Sequence, residues 1–374
     1  MKPAAISTAL LALLCAGTLL TASCSKKNPG NNGNNGEDPT WPKDSVRVVV
    51  QEGISRPWEI LWGPDSHLWI TERGGKISRV DPKTGELKPL LTISDVVATG
   101  EGGLLGMVLH PSFSTQPFVY VVYNYGSPYR EKVVRFRYEN NTLTSPLTII
   151  DNIPAAGIHN GSRLLINGDK LFITTGDAAT GANAQLTNSV SGKVLRLNLD
   201  GSVPADNPFA GNPVWSYGHR NPQGLVMANN ILYAAEHGAG IEDEVNIIEK
   251  QRNYGWPTVE GPCNTSAENT FCTANNVKQP IWSTGASTYA LCGMDYYNHD
   301  RIPQWKNSLL VVSLKNATLY QLKLSGDGQS VSARKDYFVN AFGRLRDVCV
   351  SPAGRVYICT DTSPGKIIEV SKPE

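Results

Sequence analysis

His159 stands directly before a short apolar run, in Gly157-Ile-His-Asn-Gly-Ser-Arg-Leu-Leu-Ile166. Imidazole is the side chain suited to moving a proton near neutral pH, so His159 is the candidate general base. Arg220, Arg344 and Arg346, with Lys315 in SLKNATLY, would supply a strongly cationic cup. Guanidinium forks bind carboxylates and phosphates through paired hydrogen bonds, which points to a polyanionic ligand. Glu101, Asn221 and Thr284 add polar groups, and Trp282 offers a ring that either stacks on a planar ligand or packs between strands. Glu101 lies in Gly100-Glu-Gly-Gly-Leu-Leu-Gly106, but the glycine spacing misses the dinucleotide fingerprint. A strand also follows where a Rossmann fold needs a helix, so that reading is excluded. A second cluster, Glu236-His-Gly-Ala-Gly-Ile-Glu-Asp-Glu244, precedes Asn253-Tyr-Gly-Trp-Pro257. Carboxylates beside a glycine-rich loop suit a hard cation such as calcium; a solvated acidic loop is the alternative.

Residues so far apart can meet only if the fold brings one end of many strands together. Aligned on the residue before an apolar run, Arg56, Glu101, His159, Arg220, Trp282 and Arg344 head six similar segments. From Glu101 onward their spacing is 58, 61, 62 and 62 residues. Even spacing marks a repeat whose units bury their apolar faces only against one another. Within each unit a second strand (HLWITERG, PFVYVVYNYG, KLFITTGDA, ILYAAEHG, NSLLVVSL, RVYICTD) follows a turn, and a third commonly follows that. Short strands with turn signals and almost no 3.6-residue period predict an all-β fold, a six-bladed β-propeller of four-stranded blades. The chain ends on a third strand, KIIEV, while SVRVVVQEG at 45–53 has no unit of its own. That N-terminal strand is expected to complete the last blade and close the ring. The six leading residues then converge on one mouth, where loops on a rigid scaffold carry function.

Ahead of the propeller domain, residues 44–374, the chain begins Met1-Lys2-Pro3 and continues in an almost uncharged apolar run to Leu20. Residues 1–23 read as a signal peptide, and Thr21-Ala-Ser-Cys24 resembles a lipoprotein cleavage box. Cys24 would carry the lipid, residues 24–43 would form a Gly/Asn/Pro-rich tether, and the protein would sit on the outer membrane facing the periplasm. Ordinary secretion is the alternative. A net charge of +1 over 374 residues gives no basic excess for nucleic acid. Of seven cysteines, Cys263 and Cys272 flank a short polar loop and are the expected disulfide in an oxidising compartment. The other cysteines are read as structural, since no spacing matches a zinc site.

The strings PWEILWGPDSHLWITERGGKISRVD, GEGGLLGMVLHPSF, HNGSRLLI, YGHRNPQGL, EDEVNIIEKQRNYGWP, SLKNATLYQL and GRLRDV resemble those of soluble pyrroloquinoline quinone (PQQ)-dependent sugar dehydrogenases. The likeness runs from about Arg56 to the C-terminus and is nearer to the aldose sugar dehydrogenases than to soluble glucose dehydrogenase. It implies a six-bladed propeller, the cofactors PQQ and Ca2+, an aldose substrate and an external electron acceptor. By this resemblance His159 takes the anomeric hydroxyl proton while hydride passes to the quinone C5, and Arg220 stabilises negative charge on the quinone oxygen. Asn221, Thr284, Lys315, Arg344 and Arg346 match cofactor contacts, with Trp282 packing at the cup and Glu101 at the mouth. Gly238 and Ala239 match backbone ligands of the cofactor's calcium; Glu244 and the Tyr254 carbonyl match a second calcium site. Ile158, Glu101 and Ala239 depart from soluble glucose dehydrogenase, which has aspartate, glutamine and proline there.

Fold alone does not fix function, so two alternatives stay open. A calcium-dependent lactone hydrolase would need carboxylates and amides converging on an axial metal. A lipid-anchored propeller could also bind a glycan or protein without catalysis.

Overall fold

Each alternating run becomes a strand. In the computed structural model the chain is described from residue 45 to residue 371, and the signal peptide, Cys24 and the tether lie outside the described residues. The strands form six four-stranded antiparallel sheets. Their inner strands are Pro57–Trp62, Leu104–Leu109, Gly161–Asn167, Pro222–Ala228, Leu291–Tyr297 and Leu345–Val350. Each packs beside the next, and the last packs against the first, so the ring is closed. The N-terminal strand Val46–Val50 is the outermost strand of the sixth blade and pairs with Ile367–Val370. There Arg47 lies opposite Glu369 and pairs with its carboxylate at 2.5 Å. The ends of the described chain therefore lock each other into one sheet.

Burial follows the pleat. The second strand of the first blade, Leu68–Glu72, is buried throughout, whereas the outermost strand of the fifth, Val331–Tyr337, is exposed along most of its length. Six apolar clusters result, one at each junction between neighbouring blades. A blade alone would leave both faces wet, so stability is shared around the ring.

The axis itself is charged. Arg163, from the third inner strand, pairs with Glu59 of the first at 2.5 Å and Asp347 of the sixth at 2.9 Å. Its Nε donates to the Gln223 carbonyl of the fourth at 2.8 Å, and its guanidinium lies 4.3 Å from the Trp58 ring centroid. Met107 N donates to Glu59, and Ile60 N to Asp347. Inner strands approach closely where glycine permits: a Cβ at Gly293 would collide with Asp347, and one at Gly106 with the Ser162 carbonyl.

Two sequence expectations change. The inner strands begin at residues 57, 104, 161, 222, 291 and 345, so the repeat is less even than the aligned residues imply. Trp282 does not head the fifth blade: Trp282–Ser283 is the outermost strand of the fourth, with Trp282 opposite Val245. The apolar run of the fifth blade starts only at Leu291, after a Ser/Thr/Gly loop that carries no strand signal. The connection between Ile247 and Trp282 also contains the one α-helix among the described residues, Ser266–Asn275, opened by a Thr265/Glu268 capping box. Cys272 on that helix is bonded to Cys263 as expected, and Cys292, Cys349 and Cys359 are free and buried.

Replacing Arg163 by Met would strand two carboxylates in the interior. Urea unfolding should show a loss of about 3–5 kcal/mol; a loss below about 1 kcal/mol would mean that the axial charges do not hold the ring together.

Candidate functional site

The loops that lead into the inner strands all lie at one end of the ring, as do the turns joining each second strand to its third. A cavity of about 350 Å³ opens there, lined by Arg56, Arg73, Glu101, Gln223, His237, Leu314, Arg344, Arg346 and Asp361. Four guanidiniums face two carboxylates, so the mouth carries surplus positive charge. Arg73 donates to the Gly102 carbonyl, and burial followed by the charge of Arg346 holds its pKa below the usual value. Arg346 is buried, donating to Gln223 Oε1 at 2.8 Å and Asp361 Oδ2 at 3.2 Å. Burial opposes ionisation of Asp361, yet Arg346, Arg344 and Arg73 outweigh it and hold its pKa low. Arg344 is more exposed and reaches Asp361 at 3.4 Å.

His159 takes a left-handed backbone, φ 59°, a conformation uncommon for a residue with a side chain. Its N–H donates to Glu101 Oε2 at 3.1 Å, which ties it to the mouth. Its Nδ1 lies 2.8 Å from Asp177 Oδ1, and Trp256 Nε1 donates to Asp177 Oδ2 at 2.8 Å. A buried carboxylate at Nδ1 fixes the N–H there and leaves the lone pair on Nε2. Arg220 sits over Trp256, 5.4 Å from the ring centroid, and donates from Nη1 to the His237 carbonyl at 3.2 Å. Asn221 Oδ1 accepts from Gly161 N at 3.0 Å, pinning the strand that follows His159. Burial, then the charges of Arg346, Arg220 and His159, depress the His237 imidazole to about 3, and His237 lines one cavity with Arg346 and another with Arg220.

Beneath Arg220 lies a small cavity of about 20 Å³, lined in part by Glu236, His237, Gly238, Glu242, Glu244, Tyr254 and Glu260. Glu244 faces Glu236 across paired strands, and burial followed by that neighbour raises its pKa. Asn246 Nδ2 bridges the two carboxylates at 3.0 and 2.8 Å, and Gly261 N donates to Glu244 at 2.7 Å. Ala239 is exposed in the same loop as Gly238, whose N–H donates to Asp243 at 2.9 Å. Among the described residues no group of three or more His, Cys, Asp or Glu side chains is arranged to hold a metal.

The remaining sequence candidates lie nearby in different ways. Lys315 is exposed, reaching Thr288 Oγ1 at 3.2 Å, next to Leu314 of the mouth cavity. Thr284 Oγ1 accepts from Asp243 N at 2.9 Å. The Trp282 ring is engaged with Tyr320 and the Arg334 guanidinium at the junction of the fourth and fifth blades. Trp282 therefore packs, and it does not line the cup.

A family model described as glucose/sorbosone dehydrogenase matches residues 54–369. The chain belongs to that family. It is 34% identical over 343 residues to the Escherichia coli aldose sugar dehydrogenase YliI, covering 86% of this chain and 92% of the relative. Quinoprotein glucose dehydrogenase B of Acinetobacter calcoaceticus is 32% identical over 412 residues, with 85% of each chain covered. The PQQ-bound aldose sugar dehydrogenase of Streptomyces coelicolor superposes with a TM-score of 0.77 at 31% identity, covering 87% of this chain and 98% of its own. As a member of the glucose/sorbosone dehydrogenase family the protein is a sugar-dehydrogenase-type oxidoreductase.

Asp177 stands against His159, and Asp361, Arg73 and Gln223 line the mouth cavity, and none of the four is singled out by sequence reading; His237, read from the sequence as lying close to the mouth, lines the cavity too. Asp177 and Asp361 each follow a second strand, in TTGDA and ICTD, a position that faces the mouth in a propeller.

A buried network holds the His159 loop. Glu131 Oε2 accepts from Ser162 Oγ at 2.7 Å, and Asn124 Nδ2 reaches Asn160 Oδ1 at 3.4 Å. Burial pushes the Glu131 carboxyl up to about 8 against the pull of its own hydrogen bonds from Ser162 and Asn124. The folded state then holds a proton that the unfolded chain releases near 4.5, so stability falls as pH rises from about 4.5 to about 8. Glu131→Gln should flatten that decline in melting temperature; an unchanged pH profile would place the Glu131 titration in the normal carboxylate range.

Proposed function

We propose that the protein is a PQQ- and calcium-dependent dehydrogenase that oxidises aldoses at the anomeric carbon to lactones. The carrying observation is a set of buried donors without protein partners at one mouth, Arg220 Nε, Asn221 Nδ2 and Arg346 Nε, beside the unpartnered acceptor Asp361 Oδ1. Leaving buried donors unmade costs roughly 1–3 kcal/mol each, so their convergence calls for an acceptor-rich ligand. A planar quinone bearing three carboxylates matches both that need and the surplus of arginine. Arg220, Asn221, Arg344 and Arg346 would hold it, with Glu101, Thr284 and Lys315 at the rim. When bound, PQQ supplies the two-electron acceptor for hydride.

Calcium also fits the residues present. Glu244 is a buried carboxylate beside Glu236, Asn246 Oδ1 is a buried acceptor without a partner, and the small cavity adjoins both carboxylates. Glu244 and the Tyr254 carbonyl would serve one ion, and the Gly238 and Ala239 carbonyls the ion next to the cofactor. In catalysis His159 Nε2 takes the anomeric hydroxyl proton, Asp177 holds the reactive tautomer and stabilises the imidazolium, and Arg220 stabilises developing negative charge. The charged axis argues against a lactone hydrolase, because Arg163 occupies the place where that reaction needs a metal. We place the protein outside the cytoplasm, anchored through Cys24 on the periplasmic side of the outer membrane.

Purified full-length protein supplied with PQQ and calcium should reduce a dye when aldoses are added. His159→Ala should lower that turnover by about 10²–10⁴-fold. Undiminished turnover in the variant would remove His159 from its role, and no wild-type turnover with no spectral change on adding PQQ would favour a binding propeller.

A further inference from the structure

Asp177 opens the segment that joins Lys170–Thr175 to Lys193–Asn198, the second and third strands of the third blade. Its first turn is strained. Ala178 and Ala179 both take left-handed backbone, φ 51° and 61°, a costly conformation for two successive residues with side chains. Such strain persists only where the contacts around it enforce it. Ala178 N donates to the His159 carbonyl at 3.1 Å and Asp177 N to the Arg220 carbonyl at 2.8 Å, so the turn touches both residues proposed for catalysis. The far end of the segment is gripped by Lys193. Its side chain is fully buried, and Nζ donates to the carbonyls of Asn183, Ala184 and Ser191 at 2.8, 2.9 and 2.6 Å. Those three acceptors match the three N–H donors of an ammonium. Among the described residues no carboxylate pairs with it, and desolvation alone pulls its pKa down to about 7. A buried cation without a counter-ion lowers stability, so filling space does not account for a lysine here.

Resting on the dehydrogenase reading, we propose that Lys193 is a positioning residue, whose grip on the 183–191 segment holds Asp177 in place and, through Asp177, orients the His159 imidazole. The route is continuous. Asn183 and Ala184 belong to the short 3₁₀ turn Gly181–Gln185, so two of the three carbonyls held by Nζ lie in that turn. Gln185, its last residue, donates from Nε2 to the Trp256 carbonyl at 2.6 Å and exchanges side-chain hydrogen bonds with Asn253 at 3.0 and 2.8 Å. Trp256 is the indole that holds Asp177 Oδ2, and Asp177 Oδ1 holds His159 Nδ1. Lys193 also lies opposite Thr175 in the paired strands, and its N–H donates to Thr175 Oγ1 at 3.1 Å, so the grip closes on the strand end from which Asp177 emerges. Arg344 and Arg346 stand on the sixth blade, outside this route. Loosening the grip would therefore misplace the base more than it would empty the cofactor cradle, and small misplacements of a reacting group are costly in rate.

The test uses full-length protein loaded with PQQ and calcium, with aldose-driven dye reduction expressed per bound PQQ. Lys193→Met removes all three donors and should lower kcat by about 10- to 100-fold, while PQQ affinity and aldose KM change by less than about threefold. Lys193→Gln keeps two N–H donors and should fall between Lys193→Met and wild type. Gln185→Leu cuts the link to Trp256 at a half-buried position and leaves the buried charge alone; it should lower kcat by about tenfold at similar PQQ affinity. A lysine that serves stability alone would give a lower melting temperature and less bound PQQ, with kcat per bound PQQ unchanged in Lys193→Met. That result would overturn the proposal, as would wild-type kcat in Gln185→Leu. Should the lysine variants fail to fold, Gln185→Leu decides by the same measure. A wild-type protein that binds no PQQ and reduces no dye would instead overturn the dehydrogenase reading, and this proposal with it.

Discussion

Arg163 can be buried at the axis only because Glu59 and Asp347 meet it there from two other blades. That requirement ties the inner strands of the first, third and sixth blades to one another, with Gln223 of the fourth as a further acceptor. Charge in a low-dielectric interior is tolerable only in such geometry. The arrangement therefore fixes the relative height of the strands whose upper ends carry the site. Arg346 stands one residue before Asp347, and Gln223 receives Arg346 through its side chain while receiving Arg163 through its carbonyl. The axis and the mouth are consequently one continuous polar construction.

At the mouth the balance is deliberately incomplete. Arg73 and Arg346 crowd one another, Asp361 answers only part of that charge, and several buried donors have no protein acceptor. A polar network left unfinished in this way costs stability in the empty protein. The same cost becomes binding energy for a ligand that completes it. The proposed catalysis makes a different demand, since a base must keep one nitrogen fixed and the other free. The Trp256–Asp177–His159 chain meets it with two hydrogen bonds of 2.8 Å.

Much of this was legible in the sequence because alternation and turns report strands directly. His159, Arg220 and Arg346 were found by their place before or within inner strands, and ring closure by one unmatched strand at each end. Trp282 misled because an even period was assumed through a loop of Ser, Thr and Gly, whereas the fourth blade carries a long disulfide-bearing excursion that shifts the next strand to Leu291. Asp177 and Asp361 escaped notice because a lone aspartate after a strand resembles any turn residue. Only pairing across blades, which no local pattern encodes, reveals what each one holds.

The central claim is that the mouth awaits a polyanionic quinone, and equilibrium titration of PQQ into the calcium-loaded protein tests it most directly. The account predicts saturable one-to-one binding that Arg346→Met weakens by about 10- to 150-fold, the equivalent of one charge-assisted hydrogen bond. Absence of saturable binding, or equal affinity in wild type and Arg346→Met, would contradict it.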